Sequence, residues 1–199
     1  MKTIILNIAP KLAKPAVINT CVKTVYKLAL ENGARIIQNQ QQSDTKHDPF
    51  CMYMHLMSSL LKAEKGTVFI CEHDVLYPHD WLNHTPKEDH LSYHEHGYLY
   101  QIGSGFARRK ASPLSTLCGD RDLLFDGFKK NLEQYYKIGK IMAVEPKMFP
   151  IERRMGYPYI DIRHGLNATG SRIMNYEKEP PNYWKGFNFN VFGNNPSQR

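Results

Sequence analysis

The amino-acid sequence predicts a single α/β domain with a largely parallel central sheet and an irregular carboxyl-terminal segment. Three observations carry that expectation. Apolar runs of strand length alternate with segments of helical periodicity through residue 71, the strand, helix, strand, helix, strand order that layers helices on a parallel sheet. The last of these runs, Thr67-Val68-Phe69-Ile70-Cys71, is β-branched and apolar without alternation, as befits a strand covered on both faces. A length of 199 residues with 42% apolar content suffices for one full core and leaves little for a second.

Residues 3–8 (Thr-Ile-Ile-Leu-Asn-Ile) form the first strand. Val22, Val25, Tyr26 and Ala29 then recur at helical spacing, with Asn19 or Thr20 as cap and Asn32-Gly33 as stop. Residues 34–37 read as a second strand, and the Gln-rich stretch 38–46 as a loop. Asp48-Pro49 opens a second helix, proline being tolerated in the first turn, with Phe50, Met54, Met57 and Leu61 as its buried face and Gly66 as its end. After the central strand, residues 78–105 are rich in His, Tyr, Asp and Gly and read as loops and short strands, 97–102 being the best strand. Asp120 opens an amphipathic helix with Phe125, Phe128, Leu132 and Tyr135 on its apolar face. Residues 141–144 read as a last strand, and 146–199 as irregular. This divides the chain into a main region, 1–172, and an aromatic, Asn/Gly-rich segment, 173–199, expected to act as a lid or a ligand contact.

No stretch approaches the roughly 20 apolar residues of a membrane span, and the apolar run at the amino terminus is short for a signal peptide. The expectation is a soluble protein of the cytoplasm, the host's if the chain is viral, with no membrane partner. Cys21, Cys51, Cys71 and Cys118 show no Cys-x-x-Cys spacing and read as reduced, mostly buried thiols. The net charge of +7 is unevenly placed: residues 1–100 hold 10 Lys and Arg against 10 Asp and Glu, and residues 101–199 hold 16 against 9. A basic half rich in aromatic rings fits a polyanion such as nucleic acid, and equally a solvated surface over an ordinary aromatic core. Arg108-Arg109-Lys110, Lys129-Lys130 and Arg153-Arg154 are candidate phosphate contacts.

The most informative segment is Cys71-Glu72-His73-Asp74-Val75-Leu76-Tyr77-Pro78, where two carboxylates one residue apart follow directly on a buried strand. Ligands of open α/β sheets bind beyond the carboxyl ends of the strands, so carboxylates there suit a hard divalent cation held against a diphosphate. Alternation turns Glu72 and Asp74 to one side and His73 to the other. A solvated strand end or a cap accounts for the pair as well. A second segment, Tyr159-Ile160-Asp161-Ile162-Arg163-His164-Gly165-Leu166-Asn167-Ala168-Thr169-Gly170-Ser171-Arg172, combines arginines suited to phosphate with a candidate metal ligand, His164. The run from His90 through Tyr93, His94 and Glu95 to His96 lacks the spacing of a zinc helix and reads as an acceptor-side loop.

Together the two segments resemble the GT-A type of glycosyltransferase, a Rossmann-like fold with an acidic Asp-x-Asp motif after a central strand and a distant histidine. Glu72-His73-Asp74 resembles that motif with Glu in the first place, and His164 resembles the distant ligand. A narrower resemblance is to small bacteriophage transferases that decorate hydroxymethylated pyrimidines in DNA, on Glu72-His73-Asp74-Val75-Leu76-Tyr77-Pro78 and Asp161-Ile162-Arg163-His164-Gly165-x-Asn167-x-Thr169-Gly170. The resemblance implies that Asp74 and His164 ligate Mn²⁺ or Mg²⁺, with Glu72 acting through the metal's water or the donor ribose. It also implies a nucleoside-diphosphate sugar, a UDP-sugar in the first instance, with Arg163 or Arg172 on its diphosphate and its base near residues 7–14, and a duplex DNA acceptor. An inverting reaction needs a carboxylate base; Asp120 is the candidate, and it is equally a helix cap. Three other functions compete: transfer to a glycan or lipid-linked acceptor, nucleic-acid binding without catalysis, and a metal-dependent nuclease.

Overall fold

In the computed structural model, which describes residues 1–11, 13–40, 49–109, 113–139, 149–163 and 176–193, the first apolar run forms β1 (Lys2–Ile8). It is followed by α1 (Pro15–Glu31), β2 (Arg35–Gln40), α2 (Pro49–Lys62), β3 (Thr67–Glu72) and the two-residue β4 (Val75–Leu76). Then come β5 (Leu91–His94), β6 (Gly97–Gln101), β7 (Gly105–Arg108), β8 (Leu117–Asp120), α3 (Arg121–Ile138), β9 (Ile151–Arg154) and β10 (Tyr159–Arg163). No helix among the described residues is long and apolar enough to cross a membrane.

The main sheet has six strands in the order β2-β1-β3-β8-β5-β9. β1 pairs in parallel with β2 and β3, and β5 with β9, while β8 runs antiparallel to both β3 and β5. The five strands other than β8 therefore end at one common edge. β1 and β3 are buried on both faces, which is why they read as unbroken apolar runs. Ile4, Leu6, Phe69 and Cys71 face the layer containing Val25 and Leu28 of α1, while Ile5, Val68 and Ile70 face Tyr53, Leu56 and Leu60 of α2 and Phe128 of α3. A second sheet, β4-β10-β6-β7, stands beyond that edge. It packs on Val17 and Cys21 of α1 and on Trp184 and Phe192 of the carboxyl-terminal segment.

The early elements stand where periodicity puts them, with local differences. α1 begins at Pro15 rather than near Asn19: Lys14 supplies no side-chain cap, and proline takes the first turn. β2 continues through Gln40 into the stretch read as a loop, because register with Leu6, Asn7 and Ile8 carries it on. α2 buries a face one residue away from the expected one, while α3 keeps Phe128 of its expected face and adds neighbours on the other side. In α2 the buried positions are Tyr53, Leu56 and Leu60, with Met54 and Leu61 exposed; in α3 they are Leu124, Gly127, Phe128 and Asn131. β5 is one of the short strands expected between 78 and 105, β8 precedes α3 where no strand is expected, and β9 and β10 make residues 149–163 more ordered than their composition suggests. The expected strand at 141–144 lies outside the described residues. All four cysteines are free, three of them buried.

Candidate active site

The site begins where β3 runs out. Glu72 is its last residue, half-buried, and Asn7 of β1 lies in register beside it. The backbone N–H of Glu72 donates to the Tyr77 hydroxyl at 2.9 Å, and that hydroxyl donates to the Ser115 carbonyl at 3.0 Å. His73 turns back into the protein: its backbone N–H donates to the Asn7 carbonyl at 3.1 Å. Its Nδ1 lies 3.4 Å from the Ala9 N–H and 3.3 Å from the Asn7 carbonyl, accepting from the one or donating to the other according to tautomer. Residues 73 and 74 form the turn from β3 into β4, and the Asp74 carboxylate stands close enough to Glu72 to repel its charge. Asp74 is buried, and its carbonyl accepts from Ile162 N of β10 at 2.8 Å.

β10 brings the rest. Ile160 and Ile162 point into the third core cluster, so Asp161 and Arg163 share the opposite face. Arg109, immediately after β7 and anchored by its backbone N–H on the Gly97 carbonyl at 2.8 Å, forms an ion pair with Asp161. Arg163 Nε lies 3.8 Å from the second Asp161 oxygen. Gly97 makes this packing possible, because any Cβ there would collide with the ring of Tyr159 at the start of β10.

Electrostatically these residues are one unit. Burial, and then the neighbouring Asp74 carboxylate, push the Glu72 carboxyl up to about 7, against the pull of Arg109 and Arg163. Burial lowers the pKa of both arginines, which Glu72 and Asp74 in turn hold up. Three carboxylates against two guanidinia leave one net negative charge when all are ionised. Desolvating so many charges costs stability that an apolar strand end would not, which makes the cluster the candidate site.

The structure thus brings together Glu72, Asp74 and Arg163, and adds two members that the sequence reading did not assign. Asp161 stood in the second motif without a role; its alternation with Arg163 was the available signal. Arg109 was read as part of a basic triplet, and nothing local separates it from its exposed neighbour Arg108. Asp120 is elsewhere. It pairs with Thr67, the first residue of β3, which puts it about 17 Å of strand away from Glu72. There it caps α3, its carboxylate accepting from Asp122 N at 2.8 Å. His164 and Arg172 lie outside the described residues. Of the other predicted phosphate contacts, Arg154 is buried 4.3 Å over the Trp81 ring. His94, in the histidine-rich run, is buried and stacked on Trp81, and burial, then Arg154, push it down to about 3, so it is neutral.

Glu72 and Asp74 are hard oxygen donors of the kind Mg²⁺ and Mn²⁺ prefer. Among the described residues no three His, Cys, Asp or Glu side chains form a complete ligand set. A magnesium-type ion nevertheless commonly takes only one or two protein carboxylates and completes its shell with substrate phosphates and water. Glu72 and Asp74, two oxygen donors close enough to repel one another, fit such an ion.

No protein-family model matches the chain. No curated protein sequence matches it either. Among solved structures, it is similar to a glycosyltransferase involved in glycosylation of the major capsid of PBCV-1, at 8% identity and TM-score 0.48, over 76% of this chain and 81% of that one. It is also similar to the inositol-1-phosphate CTP transferase of T. maritima, at 10% identity and TM-score 0.47, over 85% and 91%. A third is A197 from STIV, at 11% identity and TM-score 0.42, over 78% and 82%.

Proposed function

We propose that the chain is a metal-dependent glycosyltransferase that moves a sugar from a nucleoside-diphosphate sugar to an acceptor hydroxyl, with a hydroxymethylated pyrimidine of DNA as the acceptor. One observation carries the reading. Glu72, Asp74, Asp161, Arg109 and Arg163 converge where the central strand of a largely parallel α/β sheet ends, the edge at which such sheets bind nucleotides.

In this reading Glu72 and Asp74, with His164 as third ligand, hold Mn²⁺ or Mg²⁺. The ion supplies Lewis-acid stabilisation of charge on the departing nucleoside diphosphate. Arg109 and Arg163 present guanidinium donors to the same diphosphate, and Asp161, ion-paired with Arg109 and 3.8 Å from Arg163 Nε, keeps the two charges side by side to meet developing charge. Asn7, in register with Glu72, sets the base-binding end of the donor at the end of β1. The charge excess after residue 100 supports a polyanionic acceptor.

The test is donor hydrolysis and transfer with Mn²⁺, a panel of nucleotide sugars, and hydroxymethylated or plain DNA, comparing wild type with Asp74→Ala. A sugar on the DNA nucleosides that disappears in Asp74→Ala supports the whole reading. Hydrolysis of a donor that depends on Asp74, with DNA unmodified, keeps the transferase and moves the acceptor to a glycan or lipid-linked hydroxyl. Release of pyrophosphate from a nucleoside triphosphate points to nucleotidyl transfer instead, and shortening of the DNA to a nuclease. No turnover of any of these sinks the proposal.

A further inference from the structure

A second concavity lies on the far side of the small sheet, and no step of the proposed transfer uses it. It is a cavity of about 400 Å³ between the β6–β7 hairpin and the carboxyl-terminal segment, lined by Tyr100, Phe106, Phe187, Phe189, Lys178 and Lys185. Its wall is built in. Phe106 and Glu177 exchange two backbone hydrogen bonds, of 2.7 and 2.6 Å. Gly105, at φ +119°, lets the Glu177 carbonyl approach where any Cβ would collide. Trp184 locks the segment from behind, its indole N–H donating to the Pro158 carbonyl at 2.6 Å.

The chemistry of the lining narrows the ligand. Tyr100 and Phe106 are buried and stacked at 4.7 Å, forming a floor. Phe187 and Phe189 are only half-buried and leave ring surface open to the cavity. The charged side chains of the lining are two exposed lysines, neither of which makes an ion pair among the described residues, and Glu177 and Glu179, on either side of Lys178, are not part of it. Flat rings beside unpaired cations suit a flat, anionic ligand, and a nucleotide unit of a nucleic-acid strand combines both properties. The small sheet links the cavity to the charge cluster on its opposite face: Tyr100, in the cavity wall, is followed on β6 by Gln101, the partner of Arg163.

We infer that this cavity is an acceptor-strand subsite: it takes an unpaired nucleotide next to the one being modified, its base against Phe187 and Phe189 and its phosphate between Lys178 and Lys185. The inference rests on the nucleic-acid acceptor proposed above. It goes beyond that acceptor in requiring a strand that is open beside the target.

The experiment is binding of a fluorescent single-stranded thymidine oligonucleotide and of the matching duplex to the full chain, as a function of salt. Wild type is compared with Lys178→Ala/Lys185→Ala and with Phe187→Leu, which removes the ring and keeps apolar volume; tryptophan fluorescence and thermal melting establish that the variants are folded. We expect the single strand to bind better than the duplex. The lysine variant should flatten the slope of log affinity against log salt by about 0.7, the share of the one phosphate that the two lysines hold. Phe187→Leu should weaken binding roughly tenfold, and donor hydrolysis should be unchanged in both. Wild-type binding by the lysine variant overturns the subsite whatever the donor assay shows. Heparin bound as tightly as the oligonucleotide, with no effect of Phe187→Leu, overturns the nucleotide assignment and leaves a plain cation patch. If wild type hydrolyses a donor and binds no oligonucleotide, the subsite and the DNA acceptor fall together and the transferase stands.

Discussion

Glu72 shows how a buried carboxylate is maintained against folding. Its carboxyl titrates near 7 in the folded chain and near 4.5 when exposed. As pH rises, the unfolded chain releases this proton first, so the fold loses stability between those two values. Glu72→Gln, which imitates the protonated form, should leave stability unchanged at pH 4 and raise it by about 1–3 kcal/mol at pH 8 without divalent ions, a gain shared with relief of Asp74. Urea unfolding at the two pH values measures this, and an equal gain at both would show that charge is not the cause. Mn²⁺ should stabilise wild type at pH 8 and not the variant. Arg109 makes a second case. Arg109→Lys keeps the charge and loses the planar fork that meets Asp161. The expected result is a fall of about tenfold or more in kcat/KM with little change in Tm; unchanged kinetics would remove Arg109 from the diphosphate.

At the scale of elements, β8 decides which acidic residues can act together. Because it runs against β3, Asp120 stands at the amino end of that strand while Glu72 stands at the carboxyl end. Asp120→Ala should therefore cost about 1 kcal/mol through loss of the α3 cap and leave sugar transfer at wild-type rate. A large loss of turnover in a stably folded variant would return Asp120 to the reaction. The helix faces carry a related lesson. α2 reads Tyr53-Met54 and Leu60-Leu61, so apolar residues occupy two neighbouring stripes, and periodicity cannot say which one faces inward. The sheet chose Tyr53, Leu56 and Leu60, because Ile5, Val68 and Ile70 offer them a complementary surface.

For the molecule as a whole, the carboxyl-terminal segment is part of the core rather than an appendage. Trp184 and Phe192 are buried against Val17 and Cys21 of α1 and Ile160 and Ile162 of β10, so α1 and residues 176–193 together cover one face of the small sheet. Trp184→Ala should cost about 3–5 kcal/mol, a large fraction of a domain's usual stability. It should also disturb the site through β10, lowering Tm and activity together. A variant that melts like wild type would show that the segment is only loosely docked. The small sheet also ties the aromatic cavity to Asp161 and Arg163, since β6 carries Tyr100 in the cavity wall and pairs with β10.

The amino-acid sequence by itself determined the layered α/β class, the order of β1, α1, β2, α2 and β3, and the carboxylate pair at the end of β3. Each of these is written in local periodicity or in residues one or two apart, where the chain's own geometry dictates which side chains share a face. Only the tertiary structure decided that Asp161 and Arg109 complete the cluster, that Asp120 stands at the opposite edge, and that Arg154 is buried. These depend on strand pairings between segments distant in sequence, and a strand's neighbours and direction leave no periodic mark on a run of four residues such as β8. The short strands β5, β8 and β9 form because they fill places in a sheet already specified by β1 and β3, and burial between partners, rather than intrinsic propensity, holds them there.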